Sequence, residues 1–185
     1  MDVHLLRWDE AAAVAATLRH RIVVADRLER QRRGECIYLV AWEGGTPVGQ
    51  ALLHRRRPAA LTVSDARVDG LPYVEDVFVL PEHRNRGIGS ALLEAAETAA
   101  AAQGDPAVTL AVSTGNAGAR RLYERLGYVD AGVPVHRQST AEDGPRQTLP
   151  SVNENVLDLV KQVDCLAGTA QPARRGADGG RLTGA

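Results

Sequence analysis

The stretch VFVLPEHRNRGIGSALL, running from Val77 to Leu93, decides how this chain is read. An apolar run from Tyr73 to Leu80 is cut by Pro81 and crosses a polar turn. At Gly87 it passes into a helical pattern, in which Ile88, Leu92, Ala95 and Ala99 share one face, before Gly104 ends it. The mouth of such a helix carries backbone N–H groups with no internal acceptor, and its dipole favours negative charge. Gly87 and Gly89 keep side chains out of the way of an anion, while Arg84 and Arg86 add charge at the rim. The turn therefore predicts a phosphate cradle. Two phosphate-binding turns are excluded by detail. A P-loop needs Gly-Lys before Ser or Thr, and no lysine stands here; a dinucleotide turn needs a third glycine where Leu92 lies.

Working outward, Val3–Arg7 reads as a short strand, Asp9 as a cap for a helical region through Leu18, and Ile22–Arg33 as a second helical stretch stopped by Gly34. Cys36–Trp42 and Pro47–His54 read as a hairpin about Gly44-Gly45, followed by a polar connection from Arg55 to Gly70. After the central strand and helix come a strand at Pro106–Val112, a helix at Ala117–Leu126 stopped by Gly127, and a strand at Tyr128–Val135. A polar loop at Arg137–Pro150 and a last strand at Val152–Val160 follow. The order β-α-α-β-β-β-α-β-α-β-β predicts an α/β fold, a mixed sheet of about seven strands with helices on both faces. Residues 1–165 are expected to form one domain, and residues 166–185, rich in Gly, Ala, Arg and Pro without periodicity, a disordered tail.

Composition narrows the function. The net charge is -1 and aromatic content 4%, which argues against nucleic acid as partner. No apolar run approaches the ~20 residues of a membrane span, and the start MDVHLLRWDE lacks a secretory pattern, so a cytoplasmic location is expected. Arginine supplies all but one of the basic residues, the exception being Lys161. The clusters Arg27, Arg30, Arg32, Arg33 and Arg55–Arg57 are accordingly read as solvated faces. Cys36 and Cys165 are expected as free thiols. His4, His20, His54, His83 and His136 show no paired ligand spacing, so no metal is expected.

A second motif, NAGARRLYERLGY from Asn116 to Tyr128, places Asn116 and Tyr123 two helical turns apart on one face, offset from the Leu122/Leu126 stripe. Together, Arg84-x-x-Gly87-x-Gly89 after an apolar strand and this Asn/Tyr helix resemble the two signature motifs of the GNAT N-acetyltransferases. The resemblance extends from about Val3 to Asp164 and is strongest from Tyr73 to Tyr128. It implies acetyl-coenzyme A as cosubstrate, held by Val77, Phe78, Val79, Arg84, Asn85, Arg86, Gly87, Ile88, Gly89, Ser90 and Asn116, with Tyr123 beside the thioester sulfur. It also implies an acceptor that is a small-molecule or peptide amine, and a homodimer as an arrangement common in the family. A non-catalytic acyl-CoA-binding module or sensor is the alternative reading.

The implied chemistry is direct attack of a primary amine on the thioester in a ternary complex. A thiol of pKa about 8.5 leaves more readily than a phenol of about 10 ionises, so Tyr123 can donate to the departing sulfur. A backbone N–H on Val77–Val79 is the oxyanion donor that the family suggests. An alkylamine of pKa about 10.4 must lose a proton first. Glu75 and Asp76 stand on the strand beside the presumed thioester. Side chains alternate along a strand, so one of the two is expected to face the acceptor groove. The resemblance implies Glu75 as the base, with Asp76 as an amine ligand.

Overall fold

The computed structural model describes residues 1–18, 24–58, 65–139 and 153–164. Parts of the two polar connections, and the tail expected after residue 165 together with Cys165, lie outside them.

The chain builds β1 (Asp2–Leu5), a single 3-10 turn at Trp8–Glu10, α1 (Ala11–Thr17), α2 (Val24–Arg32), β2 (Cys36–Glu43) and β3 (Thr46–His54). There follow β4 (Tyr73–Val79), a 3-10 turn at Pro81–His83, α3 (Ile88–Ala102), β5 (Ala107–Ser113), α4 (Ala117–Arg125), β6 (Val129–Asp130), β7 (His136–Ser139) and β8 (Asn153–Gln162). The sheet runs β1-β2-β3-β4-β5-β8-β6, with β7 also on β8. All pairs are antiparallel except β4 with β5. The expected mixed α/β sheet is therefore present.

Three local expectations shift. Asp9 caps no helix: it lies in the first 3-10 turn, where Glu10 instead accepts from the Arg7 N–H at 3.0 Å. The strand read at Tyr128–Val135 is broken into β6 and β7, because Gly132 turns at φ 73° and Pro134 has no N–H to donate. The pairs Asp130↔Leu159 and His136↔Val156 show the extra chain bulging out against β8. The polar loop read from Arg137 consequently begins as strand, and one interrupted edge makes the strand total among the described residues eight instead of seven.

Each face of the sheet has its own apolar layer. On one, Ile88, Leu92, Leu93, Ala96 and Ala100 of α3 pack on Leu39, Ala51, Leu53, Val74 and Leu110, with Tyr123 of α4 in the same cluster. On the other, Val14 of α1 and Val24 and Leu28 of α2 cover Tyr38, Val40, Trp42 and Leu52. Burying a Leu or Val side chain contributes roughly 1.5–3 kcal/mol, so these two layers hold the helices to the sheet. Gly49 lets α3 approach closely: a Cβ there would stand 2.9 Å from the Phe78 carbonyl oxygen and 3.2 Å from Ile88 Cγ2. Among the described residues no helix is long and apolar enough to cross a membrane.

Candidate active site

The turn between β4 and α3 is shaped by two left-handed residues, Asn85 at φ 60° and Gly87 at φ 82°. Asn tolerates this conformation and Gly adopts it without strain, which is why this sequence can turn so tightly here. Backbone bonds fasten the entry: Leu80 N–H to Val48 O at 3.0 Å and His83 N–H to Leu80 O at 2.9 Å. The Arg84 Nε donates back to the Val79 carbonyl at 3.1 Å. Gly87 is the N-cap of α3, and no side chain caps it. The N–H groups of Ile88, Gly89 and Ser90 thus have no intrahelical acceptor and face outward. α4 differs, since the Asn116 side chain accepts from the Ala119 N–H at 3.1 Å.

The open mouth of α3 forms one end of a cavity of about 520 Å³. Its walls are the end of β4 (Val77, Phe78, Val79), the turn and first residues of α3, and α4 with Asn116, Gly118, Ala119, Arg121, Leu122, Tyr123 and Arg125. The cavity exists because β4 and β5 diverge. They pair only at Tyr73↔Thr109 and Val74↔Leu110, although β4 runs on to Val79 and β5 to Ser113. Past that point the backbone of β4 turns its β5-side donors and acceptors toward a gap instead of a neighbouring strand.

A β-bulge sits where the gap opens. Gln50 pairs with Phe78 and Leu52 with Glu75, so Asp76 and Val77 together oppose Ala51, and Asp76 takes φ 52°. The bulge overturns the expected alternation: Glu75 and Asp76 lie on the same face, toward α2. The Asp76 carboxylate accepts from Arg27 Nη1 at 2.7 Å and from Gln50 Nε2 at 2.5 Å, and Tyr38 Oη donates to Gln50 Oε1 at 2.8 Å. The Glu75 Oε2 lies 2.7 Å from His54 Nε2.

The two carboxyls shift in opposite senses. Burial pushes Asp76 up, and the Arg27 charge and hydrogen bond reduce but do not cancel that push. Burial also works against ionisation of Glu75. There the His54 hydrogen bond, with the charges of His54, Arg27 and Arg30, outweighs it and sets the carboxyl below its ordinary range. Glu75 is therefore the more readily ionised of the pair.

Tyr123 is 8% exposed, touches the cavity, and meets Tyr128 edge-on at 5.9 Å between ring centroids. Burial, with a contribution from Tyr73, pushes its phenol up to about 12, so the hydroxyl stays protonated at neutral pH. Tyr123 is part of the core as well as the cavity wall, a double position that its offset from the Leu122/Leu126 stripe did not reveal.

Of the residues singled out from sequence, Val77, Phe78, Val79, Arg84, Asn85, Gly87, Ile88, Gly89, Ser90, Asn116 and Tyr123 line this one cavity. Arg86 does not line it: its guanidinium lies 3.1 Å from Glu43 and 3.0 Å from His83 Nδ1. Glu75 and Asp76 lie outside its walls, on the α2 face. Sequence reading missed Arg121 and Arg125, whose spacing on α4 carries no signal apart from charge. It also read Arg27 as a solvated face, whereas only 15% of that side chain is exposed. Among the described residues no cluster of three or more His, Cys, Asp or Glu side chains is placed to hold a metal ion.

Comparison with known proteins gives the family and the fold. A model described as the Acetyltransferase (GNAT) family matches residues 3–128. The chain is 36% identical over 107 residues to the uncharacterized N-acetyltransferase YhfO of Bacillus subtilis (strain 168), covering 58% of this chain and 68% of that protein. The ribosomal-protein-alanine N-acetyltransferase of Brucella melitensis superposes with a TM-score of 0.65 at 18% identity, over 88% of this chain and 100% of that one. The yncA protein of Salmonella typhimurium, solved with its cofactor acetyl-CoA, superposes with a TM-score of 0.63 at 19% identity, over 92% of this chain and 98% of that one. At these identities the solved structures establish the shared fold.

Proposed function

The chain belongs to the Acetyltransferase (GNAT) family of N-acetyltransferases, and from that premise we propose that it transfers an acetyl group from acetyl-CoA to a primary amine by direct attack in a ternary complex. One observation carries the reading. The uncapped mouth of α3 and the protonated hydroxyl of Tyr123 belong to one continuous cavity, which opens where β4 leaves β5.

The residues present fit the cosubstrate. Its diphosphate matches the N–H groups of Ile88, Gly89 and Ser90, with Arg84 at the rim, and its arm has the Asn116 side of α4 and the β4 backbone as walls. Acetyl-CoA supplies an activated acyl carbon and a thiolate leaving group. Around it the chain divides the proton work across the sheet. Tyr123, from the α3/α4 face, donates to the departing sulfur, and Glu75, from the α2 face, takes the proton that the amine must lose. A backbone N–H on Val77–Val79, next to the bulge, is the donor for the developing oxyanion in this reading. The acceptor is a small-molecule or peptide amine.

The test is turnover. Incubated with acetyl-CoA and a panel of primary amines, the protein is expected to release free thiol in step with acetylated amine. Acetyl-CoA binding without thiol release from any amine would leave the non-catalytic binding module as the correct reading.

The two glycines make separable contributions to the cradle. Gly87→Ala places a side chain at φ 82° with nothing within 4 Å of the new Cβ, so backbone strain alone, about 1–2 kcal/mol, should lower Tm by several degrees. Gly89→Ala puts a Cβ 3.3 Å from Leu122 Cδ2 while improving helix propensity by about 1 kcal/mol, so Tm should barely move. Its methyl group crowds the cavity wall, and acetyl-CoA should bind about tenfold more weakly, the worth of one charge-assisted hydrogen bond. Calorimetric titration and thermal melts of both variants distinguish the two effects.

A further inference from the structure

Behind Glu75 stands a side chain that the transfer scheme does not yet use. His54 ends β3 opposite Tyr73, and its side chain is only 2% exposed. Its two ring nitrogens have different neighbours. Nε2 is 2.7 Å from Glu75 Oε2, and Nδ1 is 3.3 Å from Arg30 Nη2 on α2. A guanidinium has donors and no acceptor, so Nδ1 must be the accepting nitrogen. In the neutral ring the proton then resides on Nε2, aimed at the carboxylate. Arg30 is itself held from the other side by Glu35, 3.6 Å from its Nε. The result is a chain of three groups, Arg30 to His54 to Glu75, that starts on a helix and ends beside the gap between β4 and β5.

We propose that His54 is a positioning residue for acetyl transfer: Arg30 sets its tautomer, its Nε2–H pins one oxygen of Glu75, and the other oxygen is thereby presented to the incoming amine. This rests on the reading of Glu75 as the group that accepts the amine proton. The physical need is plain. Glu75 follows directly on Val74, the last residue of β4 that pairs with β5, and precedes the bulge at Asp76 against β3, so the sheet does not hold its neighbourhood flat. A carboxylate with several rotamers at such a place acts as a base only if something fixes it. The groups that face it are His54 from β3, Arg27 and Arg30 from α2, and Asp76 next to it on β4. Among the described contacts the hydrogen bond to Glu75 comes from His54, and that bond also favours the ionised form.

The experiment measures kcat and KM across pH for the full chain with acetyl-CoA and an amine that the wild type turns over. His54→Gln carries an amide N–H that reaches the Nε2 position. His54→Asn offers an acceptor near the Nδ1 position, for Arg30, but falls short of Glu75. We expect His54→Asn to lower kcat about tenfold to a hundredfold, the worth of one hydrogen bond to a charged group. KM for acetyl-CoA should be unchanged, and the acid limb of the kcat profile should move to higher pH. His54→Gln should retain most of the activity and the wild-type acid limb. In a Glu75→Gln background, His54→Asn should cost little more.

A folded His54→Asn with wild-type kcat and acid limb would overturn the proposal. So would a His54→Gln as impaired as the Asn variant, which would make the imidazole itself the proton carrier. Should the Asn variant fail to fold in a thermal melt, His54→Met provides the donor-free comparison. Glu75→Gln separates the two readings. If it turns over like wild type, the base assignment falls; if it is impaired and the donor-free His54 variant is not, the positioning role alone falls.

Discussion

Replacing Tyr123 by phenylalanine is expected to lower kcat by about 10²–10⁴-fold, the range for loss of a positioned general acid, while KM for acetyl-CoA and Tm stay close to wild type. The substitution removes one oxygen and keeps the ring. The ring accounts for the structural role of Tyr123, since it meets Tyr128 edge-on at 5.9 Å and packs within the cluster around Leu92 and Leu110. The hydroxyl is what the proposed transfer needs. Burial holds it protonated, with its pKa pushed up to about 12, so a donor is ready throughout the neutral range. A thiolate leaving group needs only a hydrogen bond or proton of this kind, because its own acid is stronger than the phenol. Steady-state kinetics with free-thiol detection, alongside titration of acetyl-CoA, reads the result. Unimpaired turnover in the variant would remove Tyr123 from the reaction, and an equal loss of cofactor binding would make it a wall instead of an acid.

The largest effect on stability is expected at Asp158, remote from that hydroxyl. Asp158 is fully buried on β8 and accepts a hydrogen bond from Arg57, whose side chain is 5% exposed and stacks over the Tyr73 ring at 4.5 Å. The ion pair is incompletely solvated by the protein: within the described residues Arg57 Nε and Nη1 and Asp158 Oδ2 have no hydrogen-bond partner. Asp158→Ala strands a buried guanidinium, which costs about 3–5 kcal/mol. A domain of ordinary stability has about 5–15 kcal/mol in total, so Tm should fall by about 10 °C or more. Replacing both partners by apolar residues of similar size, as in Arg57→Met with Asp158→Leu, should recover most of the loss. Thermal melts of the single and double variants decide the matter. Equal destabilisation of both would show that Asp158 matters through packing, not through its charge.

The pairing of Arg57 with Asp158 also shows where sequence reading stops. The run Arg55–Arg57 looked like a solvated face, and nothing local distinguishes Arg57 from its neighbours. Its partner lies about a hundred positions away, on a strand whose register brings Asp158 beside Ala111 of β5. His54 is equally unmarked in the sequence. An isolated histidine has no ligand spacing, and its two partners come from a helix and from a strand that closes on β3 only after folding. Arg27 belongs with them, as a charge that seemed to face water and is mostly buried against Asp76.

The local elements were legible because their causes are local. A strand ended by proline, a turn with Gly at φ 82°, and an apolar stripe at Ile88 and Leu92 need only neighbours within a few residues, and these already dictate an open helix mouth able to hold an anion. The same is true of Asn116 and Tyr123, which one helix carries on one face. What folding alone decided is how β4 meets its neighbours. Its divergence from β5 opens the cavity, and its bulge against β3 turns Glu75 and Asp76 to a single face, against the alternation expected from their order. Register between strands is set by which apolar faces must be buried together, a condition met only by the assembled sheet, and so the surroundings of the two carboxylates could be read only from the tertiary structure.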